Sequence, residues 1–392
     1  MFYGLLDLPW WAYFVVAFVL THITTACITL FFHRAQAHRA LELHPIISHF
    51  CRFWLWLTTS MVTKRWVAVH RKHHAYCETE NDPHSPHVYG IKQVFWLGAE
   101  LYGIESKNKE TLERFGAGTP DDWLERQIYT PHDMVGIIAL LGLELVLFGV
   151  PGLAIWSFQM MWSPIAAAGI VNGVGHFWGY RNFECKDAST NVSPLGVLLC
   201  GEELHNNHHT YGTSAKFSVR WFEFDLGWAY IKLLSFLKLA KPKRIPPIPH
   251  LMLSKDSIDV DTVKAIFLNR FEVMAHYAKE VIAPVWSQER QNSLKTMHKD
   301  WGRRIKRLLI REQSLVDALA QQRLAEALSL SPSLQVVYEF RNRFQAIWEQ
   351  TTASQKELLD ALQVWCKEAE ATGIDALKNF AQSLQRYTLA TN

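Results

Sequence analysis

Histidine dominates the chemistry available to this chain. His33 and His38 stand in HRAQAH, His70, His73 and His74 in HRKHH, and His205, His208 and His209 in HNNHH, while an apolar stretch carries Asn172 and His176. Neutral imidazole is the commonest transition-metal ligand near neutral pH. Ten candidate donors are too many for a single ion, because roughly four to six saturate a first-row metal. Two metals are the economical reading. Apolar neighbours around an all-histidine, two-metal site point to redox chemistry on a greasy substrate.

The spacings say how the donors are carried. His70, His73 and His74 fall at i, i+3 and i+4, which share one side of a helix, and His205, His208 and His209 repeat the pattern with Asn206 and Asn207 between them. His33 and His38 stand five apart, an offset that suits a bent helix end better than a straight face. Asn172 and His176 are four apart and point the same way; Asn172 is suited to holding a metal-bound water. Ligand imidazoles need carboxylates to orient them, and Asp82, Asp187, Glu202 and Glu203 are the candidates. His84 and His87, in DPHSPH, read as loop-stabilising. His22, His44, His49, His132, His250, His276 and His298 stand alone and read as structural or exposed.

The elements that must position these residues look membrane-bound. Pro9 to Phe32 carries no Lys, Arg, Asp or Glu, and at ~1.5 Å per residue its 24 residues reach about 36 Å, enough for one crossing. It lacks the basic flank and small-residue cleavage site of a secretory signal. Residues 134–153 and 154–177 form a hairpin of two further spans, with the turn expected at Pro151 and Gly152 and Glu144 paired inside it. The apolar segment 45–62 holds His49 and Arg52, and crossing there would separate the first two clusters, so it is read as an interfacial helix. Residues 64–133 are read as a polar loop on the same side as all three clusters. Lys64, Arg65, Arg71 and Lys72 mark that side as the cytoplasmic one. Sixteen Trp and 22 Phe suit bilayer interfaces. The six cysteines are scattered, consistent with a reducing compartment.

After residue 240 the pattern changes. The stretch KPKRIPPIPH, 241–250, reads as a stiff Pro-rich linker. Residues 251–392 read as a soluble helical tail with balanced charge; Asp261 is placed to cap a helix running to about Ile282, and Leu308, Leu315, Leu319 and Leu324 recur at helical spacing. The fold class is therefore all-α: an integral-membrane helical hairpin or bundle, 1–240, with a histidine-rich cap and a C-terminal helical tail. A net charge of +3 gives no field for nucleic acid, and no nucleic-acid partner is expected.

The ordered boxes HxxxxH, HxxHH and HxxHH resemble those of the membrane-bound fatty acid desaturases. FHRAQAHRA (32–40), WVAVHRKHHAYCETENDPHSP (66–86), NGVGHFWGYRNF (172–183) and GEELHNNHHTY (201–211) are similar to the delta-9 acyl desaturases, and the whole pattern with its tail to bacterial acyl-lipid desaturases of the Pseudomonas type. The resemblance covers residues 10–240. It implies two non-haem iron ions held by His33, His38, His70, His73, His74, His176, His205, His208 and His209, with Asn172 reaching one metal through water. It further implies that O2 and two electrons remove two hydrogens from adjacent methylenes, leaving a cis double bond, most simply at delta-9. The acyl carrier would be a membrane phospholipid or, alternatively, CoA. The implied location is a bacterial inner membrane with the site facing the cytoplasm. No cytochrome b5 signature or iron–sulfur cysteine motif is present, so electrons would come from a separate ferredoxin- or flavoprotein-type donor.

Soluble di-iron proteins use Glu and paired ExxH motifs; none is paired here, so histidine ligation stands. Histidine-box hydroxylases and alkane monooxygenases are the rival enzymes, with different box spacing and an extra HExxHK-like run. A metal-binding scaffold is the non-enzyme rival. ALKNFAQSLQRY (376–387) faintly resembles the helical end of some transposases, but no DDE-type acidic set accompanies it. Docking of the electron donor or apposition to the membrane is the expected role of the tail.

Overall fold

The structure, a computed structural model, describes residues 3–292, 294, 299–349 and 354–389. It is predominantly helical and divides into two compact units, Met1–Arg181 with Asp187–Pro246, and Asn182–Lys186 with Pro247–Asn392. His298 lies outside the described residues.

In the first unit, α1 is Trp10–Cys27, extended by a wider π-type winding over Ile28–Ala37. Together they form one of two helices, among the described residues, that are long and apolar enough to cross a membrane; the other is Val150–His176. Trp10, Phe14 and Phe18 point outward on α1 while Thr21, Thr24 and Cys27 are buried. Apolar outside and small or polar inside is the arrangement of a helix that faces lipid, where polar groups must find partners within the protein. His22, one of the isolated histidines, is bonded through Nε2 to the Tyr230 hydroxyl at 2.6 Å.

Helix α2 (Pro45–Thr59) runs back along α1, with Trp54 Nε1 donating to Thr24 Oγ1 and Thr24 to Thr58. Its buried Arg52 is held by Asp122 and Glu125, which is how a charge on an apolar segment is tolerated. Helix α3 (Thr63–Tyr76) carries the second histidine cluster. The region 64–133, expected to be a polar loop, also contains an apolar helix, α4 (Ile91–Glu105), kinked at Leu97. Interspersed Lys92 and Glu100 and two glycines disguised it as loop. Gly98 serves packing: a Cβ there would stand 2.6 Å from the Ala168 Cβ.

The hairpin is α5 (Asp133–Phe148) and α6 (Val150–Pro164), α6 continuing through a wide-wound stretch, Ile165–Gly173, to a short turn ending at His176. The turn falls at Gly149, not at Pro151–Gly152. Gly149 takes φ +67°, open to glycine without cost, and Pro151 sits harmlessly in the first turn of α6. Glu144 and Gln159 clasp the two arms at 2.6 Å. Two elements close the unit: α7 (His205–Thr210) with the third cluster, and α8 (Leu226–Phe236). The supposed linker begins as a strand, since Ala240–Pro242 pairs antiparallel with Leu41–Leu43.

The second unit is a helical bundle around Tyr277, Phe344, Trp365 and Phe380. Its first helix is Val260–Leu268, capped by Asp259 and Thr262 in a reciprocal capping box, so Asp259 and not Asp261 is the cap. The helix does not run to Ile282: it stops at Asn269, whose side chain bonds back to the Ala265 carbonyl, and a new helix, Arg270–Tyr277, follows. His250–Leu251 pairs with Tyr387–Thr388, tying the two ends of the bundle together.

Candidate metal centre

The ten sequence-selected residues come from four elements of the first unit. The wide winding of residues 28–37 answers the awkward five-residue spacing: His38 N–H donates to the His33 carbonyl at 3.0 Å, and the two rings stand 4.9 Å apart. One turn of π-helix thus does what an α-turn could not. Helix α3 supplies His70, His73 and His74, α7 supplies His205, His208 and His209, and the end of the α6 continuation supplies His176.

These histidines sort into two groups. His33, His38, His70, His74 and His208 converge in one; His73, His176, His205 and His209 converge in the other. In the first, Nε2 atoms approach at 3.0 Å (His33–His208), 2.8 Å (His38–His70) and 3.1 Å (His74–His208). In the second, the His176 Nε2 lies 3.1 Å from that of His73 and 2.9 Å from that of His205.

Protein hydrogen bonds alone do not explain this convergence. The outer Nδ1 of His33 is bonded to Glu202 at 2.7 Å, of His73 to Asp82 at 2.9 Å, of His176 to Glu78 at 2.8 Å and of His209 to Asp187 at 3.2 Å. Each carboxylate fixes the proton on Nδ1, leaving a lone pair on Nε2. His73 and His176 therefore aim two lone pairs at one another across 3.1 Å. A cation between them removes that repulsion: two nitrogens each ~2.1 Å from one ion and at right angles lie ~3.0 Å apart. The buried Nε2 of His209 likewise has no protein partner. The residues present fit two metal ions of nitrogen-preferring type.

The electrostatics agree. Burial, reinforced by the neighbouring imidazoles, holds His38, His70, His74, His205 and His208 far below the ordinary histidine range. Burial takes His209 to about 4 against the opposing pull of Asp187. These rings are neutral, the form that binds metal. Burial also disfavours charge on His73, but Asp82 outweighs it and raises the value. Desolvation of Glu78 is overcome by its bond to His176, which brings the carboxyl down to about 2.

Three of the four carboxylates named from sequence reach ligand imidazoles. Glu203 does not; it accepts the backbone N–H groups of Leu199 and Gly201 and holds the loop before α7. Glu78 was missed, although ETENDPH begins with it. A further support also escaped the sequence reading. Arg34 and Asp225 form an ion pair at 2.9 Å, both side chains fully buried, with the guanidinium 3.8 Å over the Phe217 ring. Gly201 makes room for it: a Cβ there would lie 2.8 Å from an Arg34 nitrogen, and its φ of +99° suits glycine alone. His87 donates to the His176 carbonyl, in keeping with a loop-holding role. His84 is instead stacked on His73 at 4.5 Å, buried with its Nε2 unpartnered.

A cavity of about 390 Å³ adjoins the first group, lined by His33, His70, His84 and Asn172 together with Ile28, Met61, Val69, Tyr102 and Ala166–Ala168. Its lining is mostly apolar, the character of sites for hydrocarbon ligands.

The comparisons with known proteins converge on one chemistry. Residues 9–235, more than half the chain, match the sequence model of the fatty acid desaturase family. An acyl-CoA C20 Delta5-desaturase of Anemone leveillei is 32% identical over 245 residues, 61% of this chain and 76% of the relative. The sn-1 stearoyl-lipid 9-desaturase of Anabaena variabilis is 31% identical over 237 residues, 59% of this chain and 83% of the relative. Delta-9 acyl-lipid desaturase 2 of Arabidopsis thaliana is 28% identical over 240 residues, 60% and 76% respectively. The chain belongs to the fatty acid desaturase family. It is an oxidoreductase that desaturates fatty acyl chains, and its family is membrane-associated. Residues 263–390 match a transposase family model as well, extending to nearly the whole tail the likeness noted for 376–387. Among the described residues, every group of three or more His, Cys, Asp or Glu placed to hold a metal lies in the first unit.

Proposed function

We propose that the two histidine groups hold two non-haem irons and that the enzyme places a cis double bond at delta-9 of a saturated acyl chain carried on a membrane phospholipid. His33, His38, His70, His74 and His208 would hold one iron; His73, His176, His205 and His209 would hold the other, with Asn172 contributing through water. The observation that carries this reading is the convergence of carboxylate-fixed, lone-pair-bearing nitrogens beside an apolar cavity.

Bound iron supplies dioxygen activation strong enough to remove hydrogen from an unactivated methylene, which no side chain can do. The protein's own part is positional. Glu78, Asp82, Asp187 and Glu202 keep the donor nitrogens aimed inward and deprotonated. Ile28, Val69 and Ala166–Ala168 offer the acyl chain an apolar bed that excludes water and fixes which methylenes face the metals. Asn172 and His84 are among the polar groups of the cavity wall. The electrons come from a separate ferredoxin- or flavoprotein-type donor, and the site faces the cytoplasm of a bacterial inner membrane. The tail serves this chemistry as a docking or membrane-apposition unit rather than as a DNA-handling one.

The phospholipid carrier is supported by the relatives named for acyl-lipid and stearoyl-lipid substrates. Acyl-CoA is the second reading, favoured by the relative named an acyl-CoA desaturase. Expression in a host lacking its own desaturases, with a donor supplied, tests both. New cis-monounsaturated chains mapped to carbon 9, with two irons per purified chain, are expected. Hydroxylated chains, or a single iron, would overturn the proposal. A pulse of labelled stearate that becomes unsaturated in CoA esters before it enters phospholipid would move the carrier to CoA.

A further inference from the structure

The first unit carries a surface built the wrong way round for water. Across residues 222–225 the side chains alternate, and it is the apolar ones that face out: Phe222 and Phe224 are exposed, and Trp221 just before them is 96% exposed. The acids between them point inward. Glu223 accepts from Tyr180, Asn207 and the backbone of Val219, and Asp225 from Arg34 and the backbone of Phe217 and Trp228. A water-facing loop has the opposite polarity.

The inversion repeats on the neighbouring segment. Leu195 and Gly196 pair with Phe224 and Asp225 in a short parallel ladder. Leu195 and Leu198 are exposed, while Glu203 is buried beneath, holding the Leu199 and Gly201 amides. The Tyr180 ring packs against Phe222 at 6.4 Å, which brings in Trp178, itself 69% exposed. An outward cluster of this size, aromatic and contiguous, marks an interaction surface rather than the scattered apolar residues of an ordinary exterior.

We propose that the paired segments 195–198 and 221–224 are a second membrane contact, seated at the boundary between headgroups and acyl chains. Three observations choose a lipid surface over a protein partner. Trp178 and Tyr180, the latter packed on Phe222 of the patch, follow directly on the end of Val150–His176, a helix apolar and long enough to span, so Trp178 stands at the level where that helix leaves hydrocarbon. Tryptophan and phenylalanine are its main constituents, and tryptophan is enriched at that depth. The chain then runs straight into α8, which exposes Leu233 and Phe236 beside the outward Lys232 and Lys238, apolar surface with cations suited to anionic headgroups. The acids that fold inward are those that support the site: Asp225 holds Arg34, and Glu223 holds Asn207 of the third histidine cluster. The loops that brace the histidines are thus the loops that rest on the lipid.

The test uses the full chain in vesicles of phosphatidylethanolamine and phosphatidylglycerol. Spin labels are placed at Trp221→Cys, Leu198→Cys and, as a water-facing reference, at exposed Glu113→Cys; labelled wild type supplies the background from native cysteines. Each variant is first checked for native elution. At 221 and 198 the label should collide with oxygen in preference to a water-soluble nickel complex, with the sign reversed at 113. An aqueous signature at either loop overturns the proposal. So does dipolar broadening that disappears when unlabelled protein is mixed in, which would make the patch a contact between two copies. Neither outcome depends on iron or turnover, so the result stands apart from the assignment of the metal centre.

Discussion

The two units solve opposite problems with their interiors. The first buries ionisable groups: nine histidines, four orienting carboxylates and the Arg34–Asp225 pair occupy its middle. The second buries hydrocarbon, with Tyr277, Phe344, Trp365 and Phe380 packed ring against ring and their polar tips spent on backbone carbonyls, Tyr277 on Val337 and Trp365 on Phe340. A polar interior is expensive unless every group is paired or metal-bound. An aromatic interior is stabilising by itself. The contrast teaches where function resides: one unit gathers at its middle an arrangement that folding alone would disfavour, and the other is built mainly on packing that folding favours.

The sharpest way to break the comparison is to remove a donor. His70→Ala or His209→Ala is expected to abolish desaturation and lower bound iron while membrane insertion persists, read by fatty acid profile and metal analysis. Normal product from both would remove the two-metal reading. Next in size are two core changes that should behave differently. Trp365→Ala should cost about 3–5 kcal/mol of stability yet leave the iron content untouched. Asp225→Ala should cost a comparable ~3–5 kcal/mol, because it strands a buried guanidinium, and should lower iron retention too. Thermal unfolding with metal analysis on the same samples separates them.

Smaller effects sharpen the picture. Glu78→Gln keeps the hydrogen bond but removes the charge behind His176, and should weaken iron affinity by roughly 10–100-fold, measured by competition with a chelator. Acid should do the same more broadly. His209 titrates at about 4 when folded against an ordinary 6.5, so the unfolded chain takes up the proton first as pH falls. Its contribution is intact above 6.5 and is lost progressively between 6.5 and about 4; iron release and a falling unfolding midpoint should share that window. A midpoint flat across the window would refute the assignment. The least effect belongs to the tail: Asp259→Ala removes a helix cap and should cost about 1 kcal/mol with no change in product.

Much of the site was legible because ligand chemistry demands particular residue types. The histidine boxes, and Asp82, Asp187 and Glu202 as their supports, are visible as letters. Glu202 reaches a ligand and Glu203 does not, because adjacent acids differ only in direction, and direction depends on how the loop before α7 folds. Helix α4 was hidden by charges spaced among its apolar residues, and its Gly98 made sense only against Ala168. Arg34 sits inside the first box, yet nothing in the sequence links it to a partner 191 residues away.

The sequence by itself determined the donor chemistry: nitrogen ligands in three ordered sets on helices, carboxylates nearby, and apolar segments around them. Residue type and local spacing are enough for that, since periodicity decides which side chains share a helix face. Only the tertiary structure decided the division of labour. His73 and His74 are neighbours in sequence but belong to different groups, as do His208 and His209. Successive residues on a helix point about 100° apart, so one short helix can serve two centres. Which centre each residue serves is fixed by what stands opposite, and that is a property of packing between elements far apart in the chain.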